Sequence, residues 1–434
     1  MRLARMVLLG VGLGGTVGVA TEACHPTPES TERGFGGGRA HVDDADGYGN
    51  GDQTSIGEDA SRIVGAVSAP EQGAPLRLKF LRLTEQTQGS GTDFQFLPGS
   101  DEVLITLREG RLARMSLGER HATARDVWTF REEMSTSDAC GPSNLALDPA
   151  FLQNRFIYVT YCASATNNRL VRYTLDEENG PKDPLVEYEI ESPAGQTSWR
   201  RFGSLGWLDG ETLWLLVGDH EQSRQAQEPD SALGSLVFLR PNRDLVADTK
   251  GVSSSPKLAI HARGFRAPWR GTRDQLGRFF VGDVGEDDYE ELNLVSGPGQ
   301  NFGWDLYTGP CAGGCTGAQG PVAYYDRSPR HPLVVQEPSA ISSASRAIWV
   351  GQVYEGAAID RYQGWLTHAI VFGDLFTGSV RALRLDAGGL VVDERAIGFL
   401  PYVTQWRVGP DGYIYVLDLA GNLHVALLDG SQLH

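Results

Sequence analysis

The stretch Trp406–Leu428, WRVGPDGYIYVLDLAGNLHVALL, carries the reading of the fold. An apolar strand runs into a Gly-Pro-Asp-Gly turn. A second, stronger strand ends at Asp418 before a turn containing Gly421, and a third strand follows. The same cadence recurs in Phe94–Leu117, Leu145–Leu175, Leu205–Arg240, Phe265–Val295 and Val353–Leu385. No long helical periodicity interrupts it. Small antiparallel sheets repeated along one chain bury their faces against each other when arranged radially. The six units therefore predict an all-β, six-bladed propeller, with two β-sandwiches as the rival arrangement. A propeller closes by pairing strands from both chain ends, so Leu76–Leu83 is expected to complete the last blade.

Outward from the repeats the composition changes. Met1–Ala23 has a basic start at Arg2 and Arg5, an apolar run over Val7–Ala20 and small residues after it, the pattern of a secretory signal. Its apolar run is shorter than the ~20 residues of a membrane span. Cys24 follows directly, which raises a bacterial lipid anchor on its thiol, with plain secretion as the alternative. Residues 24–72 are polar and rich in Gly, Asp, Ser and Glu, and read as a disordered linker. Within it, the oxygen-rich Asp44–Asp52 resembles a calcium loop without the closing glutamate. The propeller is assigned residues 73–434. Export favours disulfides, so Cys140 is expected to pair with Cys162 across neighbouring strands, and Cys311 with Cys315 in a small loop. The net charge of −17 excludes a nucleic-acid partner, which demands clustered Lys and Arg.

Three segments add a resemblance. They are GFRAPWR at Gly264–Arg270, GDVGEDDYEELNLV at Gly282–Val295 and NFGW at Asn301–Trp304. Weaker support comes from LALDPAF at Leu145–Phe151 and AQEPDSALGSL at Ala226–Leu236. In this order they resemble the glucose/sorbosone dehydrogenase family, from about Asp93 to Leu428. That family includes soluble sugar dehydrogenases using pyrroloquinoline quinone (PQQ), and hedgehog-interacting proteins share its domain. The resemblance implies a flat quinone over the central channel beside a calcium ion. It also implies positive side chains on the cofactor's carboxylates and a histidine base for the sugar hydroxyl.

Individual positions inherit expectations from it. Arg266 matches a cofactor-facing arginine, although the next residue is Ala267 where the family has asparagine. Gly285 and Glu286 match residues whose carbonyls ligate the cofactor calcium. Glu291, with Glu290 beside it, matches a carboxylate of a structural calcium site. Asp219 and Gln227 match polar residues near the sugar pocket. Other positions depart from the family. The histidine base is expected just before the strand Ser204–Trp207, where the chain reads Arg200-Arg201-Phe202-Gly203. Arg200 takes its place, and arginine stays protonated. An expected Arg-x-Arg pair is replaced by Tyr402-Val403-Thr404-Gln405-Trp406, and an expected lysine is missing from Val353–Ile359. His220 and His261 lie near these motifs, and each reads more simply as a loop or strand residue. Arg200, Arg201 and Arg266 form either a positive centre for an anionic ligand or ion pairs with propeller acids.

Two functions follow. One is an exported propeller that no longer oxidises and binds a carbohydrate or cell-surface partner. The other is an active PQQ- and calcium-dependent aldose sugar dehydrogenase with rearranged catalytic groups. A calcium-dependent hydrolase is a minor third, and the chain has no nucleophile elbow, HExxH or phosphate loop.

Overall fold

The computed structural model describes residues 77–84, 89–117, 122–130, 134–136, 140–164, 166–191, 200–241, 257–310, 314–327, 346–356 and 359–429. Met1–Ala23, expected as a leader, the anchor candidate Cys24, the expected linker with its oxygen-rich loop, and Cys311 lie outside these residues. Blade 6 begins the chain with β1 (Leu78–Arg82). Blade 1 holds β2 (Gly91–Phe96), β3 (Glu102–Leu107), β4 (Arg111–Ser116) and β5 (Asp126–Thr129). Blade 2 holds β6 (Asn144–Leu147), the one-turn helix α1 (Phe151–Asn154), β7 (Phe156–Cys162), β8 (Asn167–Asp176) and β9 (Gly180–Glu191). Blade 3 holds β10 (Phe202–Trp207), β11 (Leu213–Val217), β12 (Ser235–Arg240) and β13 (Lys257–Arg263), with β17 (Gln300–Asn301) added in parallel at its edge. Blade 4 holds β14 (Pro268–Arg273), β15 (Phe279–Asp283), β16 (Tyr289–Val295) and β18 (Ala323–Asp326). Blade 5 holds β19 (Ile348–Val350), β20 (Ile370–Asp374), β21 (Ser379–Leu385) and β22 (Val391–Phe399). Blade 6 is completed by β23 (Val403–Val408), β24 (Ile414–Asp418) and β25 (Leu423–Leu428).

The expected closure is present: β1 pairs antiparallel with β25, Leu78 opposite Leu428 and Phe80 opposite Ala426. The inner strands β2, β6, β10, β14, β19 and β23 touch in turn, and β23 returns to β2. The fold is a six-bladed propeller. Its turns follow from the quoted stretch. Gly412 takes φ +83°, open to glycine, and its N–H closes the turn on the Gly409 carbonyl at 3.0 Å. The Asp418 carboxylate caps the next turn by accepting from the Asn422 N–H at 2.9 Å.

The apolar core lies between blades, because each middle strand is covered on both faces. Leu213, Leu215 and Val217 of β11 pack on blade 2, while Trp214 and Leu216 pack on blade 4. That is why LWLLV reads as an unbroken apolar run rather than an alternating one. Equivalent clusters fill the other blade interfaces. Cys140 and Cys162 form a disulfide with Cα atoms 5.3 Å apart, and Cys315 is disulfide-bonded as well. Among the described residues no helix is long and apolar enough to cross a membrane.

Two elements differ from the sequence reading. The inner strand of blade 5 is Ile348–Val350, ahead of the unit read from Val353. The segment 308–345, which belongs to none of the repeated units, contributes β18, whose Tyr325 sits opposite Glu290. Four residues are too few for a periodic signal, and pairing with β16 makes the strand.

Inside the ring, polar side chains brace the channel where the inner strands begin. Arg270 of blade 4 donates to Asn144 Oδ1 of blade 2 and, at 2.6 Å, to the Thr92 carbonyl of blade 1. Burial lowers its pKa to about 10. Gln405 and Arg407 of blade 6 donate to Asp93 Oδ1 of blade 1 at 2.8 and 2.9 Å.

Candidate functional site

The residues singled out in the sequence meet at one end of the ring, beside blades 3 and 4. Arg200 and Arg266 precede β10 and β14, while Asp219 and Glu286 follow β11 and β15. The propeller topology brings these strand ends to the same mouth. Gly218 allows the approach, since a Cβ there would lie 2.0 Å from the Arg200 carbonyl oxygen. Arg200, His220 and Glu221 adopt left-handed backbone, at φ +62°, +49° and +63°. Strain of this kind concentrates at functional sites.

Asp219 is fully buried and is the hub. Its carboxylate accepts from Arg200 Nη1 at 3.1 Å, from Trp304 Nε1 at 2.8 Å and from the Glu221 N–H at 2.8 Å. Arg200 Nη2 reaches Glu286 Oε1 at 3.3 Å, and Arg266 Nη2 reaches the same oxygen at 3.5 Å. Arg266 lies over the Trp304 ring, 5.5 Å from its centroid. Burial lowers the Arg266 pKa, and the positive charge of Arg200 adds to that. Gln227, closing the 3-10 turn Ser223–Gln227, exchanges hydrogen bonds with Asn301 at 2.8 and 3.2 Å and donates to the Trp304 carbonyl. It therefore pins the Asn301–Trp304 loop under the mouth.

The carbonyls of Gly285 and Glu286 are taken. Arg266 Nη1 donates to Gly285 O at 2.7 Å, and Arg327 Nη1 donates to Gly285 O at 2.8 Å and also to Glu286 O. Arg327 further donates to the Arg346 carbonyl at 2.9 Å and lies 3.3 Å from Glu290 Oε1. Glu290 is fully buried, and its carboxyl is pushed up to about 8 by burial, against the opposing pull of Arg327. Gly285 itself must be glycine here, since a Cβ would fall 1.5 Å from the Tyr289 carbonyl oxygen.

Glu291 does not join Glu290. Neighbours on a strand point to opposite faces, so Glu290 faces blade 5 and Glu291 faces blade 3. Glu291 instead stands opposite Asp283 on β15, with Asn293 on the same face. Asp283 accepts from the backbone N–H groups of Arg266 and Ala267 at 2.9 and 2.6 Å. Glu291 accepts from the Gly309 N–H at 2.6 Å and from Asn293 Nδ2 at 3.1 Å. Burial pushes both carboxyls up, and in Asp283 the Glu291 charge adds to it. Asn293 is fully buried, and its Oδ1 has no partner among the described residues.

The two histidines noted in the sequence are His220 and His261. Burial, with Arg201 second, lowers His220 to about 3, so its imidazole is neutral. His261 stacks on Phe238 at 4.3 Å, on β13. Arg270, Arg327, Asp283 and Asn293 were not marked by the sequence reading. Arg270 and Asp283 lie inside the quoted motifs, whereas Arg327 lies in the non-repeating segment and carries no local signal.

Comparison with known proteins places this geometry. The glucose/sorbosone dehydrogenase family model matches residues 90–425. The chain belongs to that family. It is 30% identical over 348 residues to an uncharacterized protein of Synechocystis sp., covering 74% of this chain and 79% of that one. It is 25% identical over 343 residues to aldose sugar dehydrogenase YliI of Escherichia coli, covering 74% and 85%. The PQQ-bound aldose sugar dehydrogenase of Streptomyces coelicolor has the same fold, with a TM-score of 0.60, 19% identity, and coverage of 83% of this chain and 100% of that one.

The mouth does not fit the family's cofactor calcium. A divalent cation on the carbonyls of Gly285 and Glu286 would meet Arg327 and Arg266, which already occupy those oxygens. No group of three or more acidic, histidine or cysteine ligands gathers among the described residues. The Asp283, Glu291 and Asn293 set does fit a hard cation: among the described residues the two carboxylates make no ion pair and the amide oxygen has no partner.

Proposed function

We propose that this family member is an exported propeller that binds a carbohydrate or a carbohydrate-bearing surface at its mouth and does not oxidise it. One observation carries the reading. Arg200, standing where the resemblance puts the proton-accepting histidine, is held between Asp219 and Glu286. A guanidinium paired with two carboxylates accepts no proton from a sugar hydroxyl. His220 does not replace it, because a pKa near 3 makes a weak base at neutral pH. Calcium, on this reading, sits at Asp283, Glu291 and Asn293, on the face of blade 4 turned toward blade 3, and takes no part in redox chemistry. The signal-like pattern of Met1–Ala23, followed by Cys24, supports binding outside the cytoplasm.

The second reading, an active aldose sugar dehydrogenase, draws on the retained frame of Asp219, Trp304 and Gln227 and on the likeness to the Escherichia coli enzyme. Calorimetric titration of PQQ into the mature protein with calcium present separates the two, followed by dye-linked oxidation of a sugar panel. The binding reading expects neither heat nor dye reduction. Calcium-dependent PQQ binding with sugar-dependent dye reduction overturns it.

A further inference from the structure

The two arginines of the mouth are each fixed through one nitrogen and offer another to the same point. Arg200 Nη1 is held by buried Asp219, and Arg266 Nη1 by the carbonyls of Val284 and Gly285, at 3.0 and 2.7 Å. Their Nη2 atoms converge on Glu286 Oε1, at 3.3 and 3.5 Å. The guanidiniums are nearly buried, with 16% and 13% of the side chain exposed, while Glu286 is 50% exposed. What holds the clamp is interior and rigid; what fills it comes from a surface turn. The backbone of that turn is tied down by Arg327 on the Gly285 and Glu286 carbonyls, so the Glu286 side chain can swing out without moving the loop. With Glu286 gone, two guanidiniums remain close together against the single carboxylate of Asp219, with Arg266 over the Trp304 ring. Such a pair of guanidiniums matches one carboxylate.

We propose that Arg200 and Arg266 form a carboxylate-binding clamp in which Glu286 is a displaceable internal occupant, and that its external ligand is the carboxylate of a sugar acid. The sugar part rests on the binding function proposed above; the clamp rests on the geometry alone. An external carboxylate enters only by displacing Glu286, so the wild type binds weakly and the site opens when that residue is neutralised.

The test is calorimetry with glucuronate, glucose and acetate on the mature protein, on Glu286→Ala and on the neutral isostere Glu286→Gln. Glu286 is half exposed, so both variants are expected to fold. Glucuronate is expected to bind Glu286→Ala about tenfold more tightly than wild type, the value of one charge-assisted contact. Adding Arg266→Gln should abolish that gain. Equal glucuronate affinity in wild type and both variants, or no binding in any, overturns the clamp. Acetate binding as tightly as glucuronate overturns the sugar-acid class. Glucose bears on the carbohydrate reading alone: wild type that binds neutral sugar while glucuronate shows no gain keeps that reading and overturns the clamp.

Discussion

At the mouth of the propeller, the carbonyls of Gly285 and Glu286 face the guanidiniums of Arg266 and Arg327. Between blades 3 and 4, a few residues away on the same sheet, the carboxylates of Asp283 and Glu291 face each other and make no ion pair among the described residues. The family resemblance assigns calcium to both places. In the first, the chain supplies its own positive charge. In the second, it leaves two carboxyls buried; burial raises both, and in Asp283 the Glu291 charge adds to the rise. The contrast separates two roles of a cation. A guanidinium can satisfy carbonyls and hold a loop, but it does not supply the compact charge that polarises a quinone. A buried acid pair between blades still calls for a compact cation.

Removing Arg327 tests the first half of the contrast and carries the largest effect. Arg327→Ala takes a charged partner from buried Glu290 and donors from the carbonyls of Gly285, Glu286 and Arg346. Losing one member of a buried pair is expected to cost about 3 kcal/mol, read from denaturant melts near pH 8 in chelator. The carbonyl oxygens of Gly285, Glu286 and Arg346 and the Glu290 carboxylate lose this donor, so millimolar calcium should restore part of the loss. Measuring this in a Glu291→Gln background keeps the other site silent. Unchanged stability on losing Arg327 would mean that the guanidinium does not stand in for a cation, and the contrast would be gone.

Calcium itself tests the second half. Metal bound only by the native state adds about 2.7 kcal/mol at a hundred times its Kd, and chelation removes that amount. The wild type should therefore melt at higher temperature in calcium than in chelator, and Glu291→Gln or Asp283→Asn should erase the difference. A wild-type melt indifferent to calcium would make the acids a protein-neutralised pair like the mouth, and blade 4 would hold no metal.

How far each half could be read in advance depends on where the signal lies. The propeller was legible because each blade repeats a turn whose chemistry is fixed, as at Gly409–Gly412, and because such a ring closes by pairing strands from both chain ends, as β1 and β25 do. Arg200, Asp219, Arg266 and Glu286 were legible one by one, because each flanks a strand at a position that the family resemblance marks. Their mutual pairing was not, since it depends on which side chains of separate blades meet in space. Glu290 and Glu291 read as a pair by adjacency, yet strand alternation sends them to different blade interfaces. Arg327 was invisible for the opposite reason: it follows β18, a four-residue strand in a segment without repeat or motif, and acts through partners far off in sequence.

The smallest expected effect concerns His220, which shows how strictly the mouth rations positive charge. Burial and the neighbouring Arg201 lower its pKa to about 3, from 6.5 for the free group. The native state thus holds this imidazole neutral, while the unfolded chain takes up a proton as pH falls through 6.5. Stability that is fully present above that pH is therefore lost on acidification. One proton of difference is worth about 1.4 kcal/mol per pH unit, so the fall from about pH 6.5 to about pH 5 costs about 2 kcal/mol. His220→Asn removes the titrating group and tolerates the left-handed backbone at φ +49°. Its melts should lose about 2 kcal/mol less than wild type over that interval. Parallel pH profiles for the two proteins would mean that the mouth accepts a protonated imidazole. It would then have room for more positive charge than the packing of Arg200, Arg266 and Arg327 implies, and a metal ion there would no longer be barred by charge.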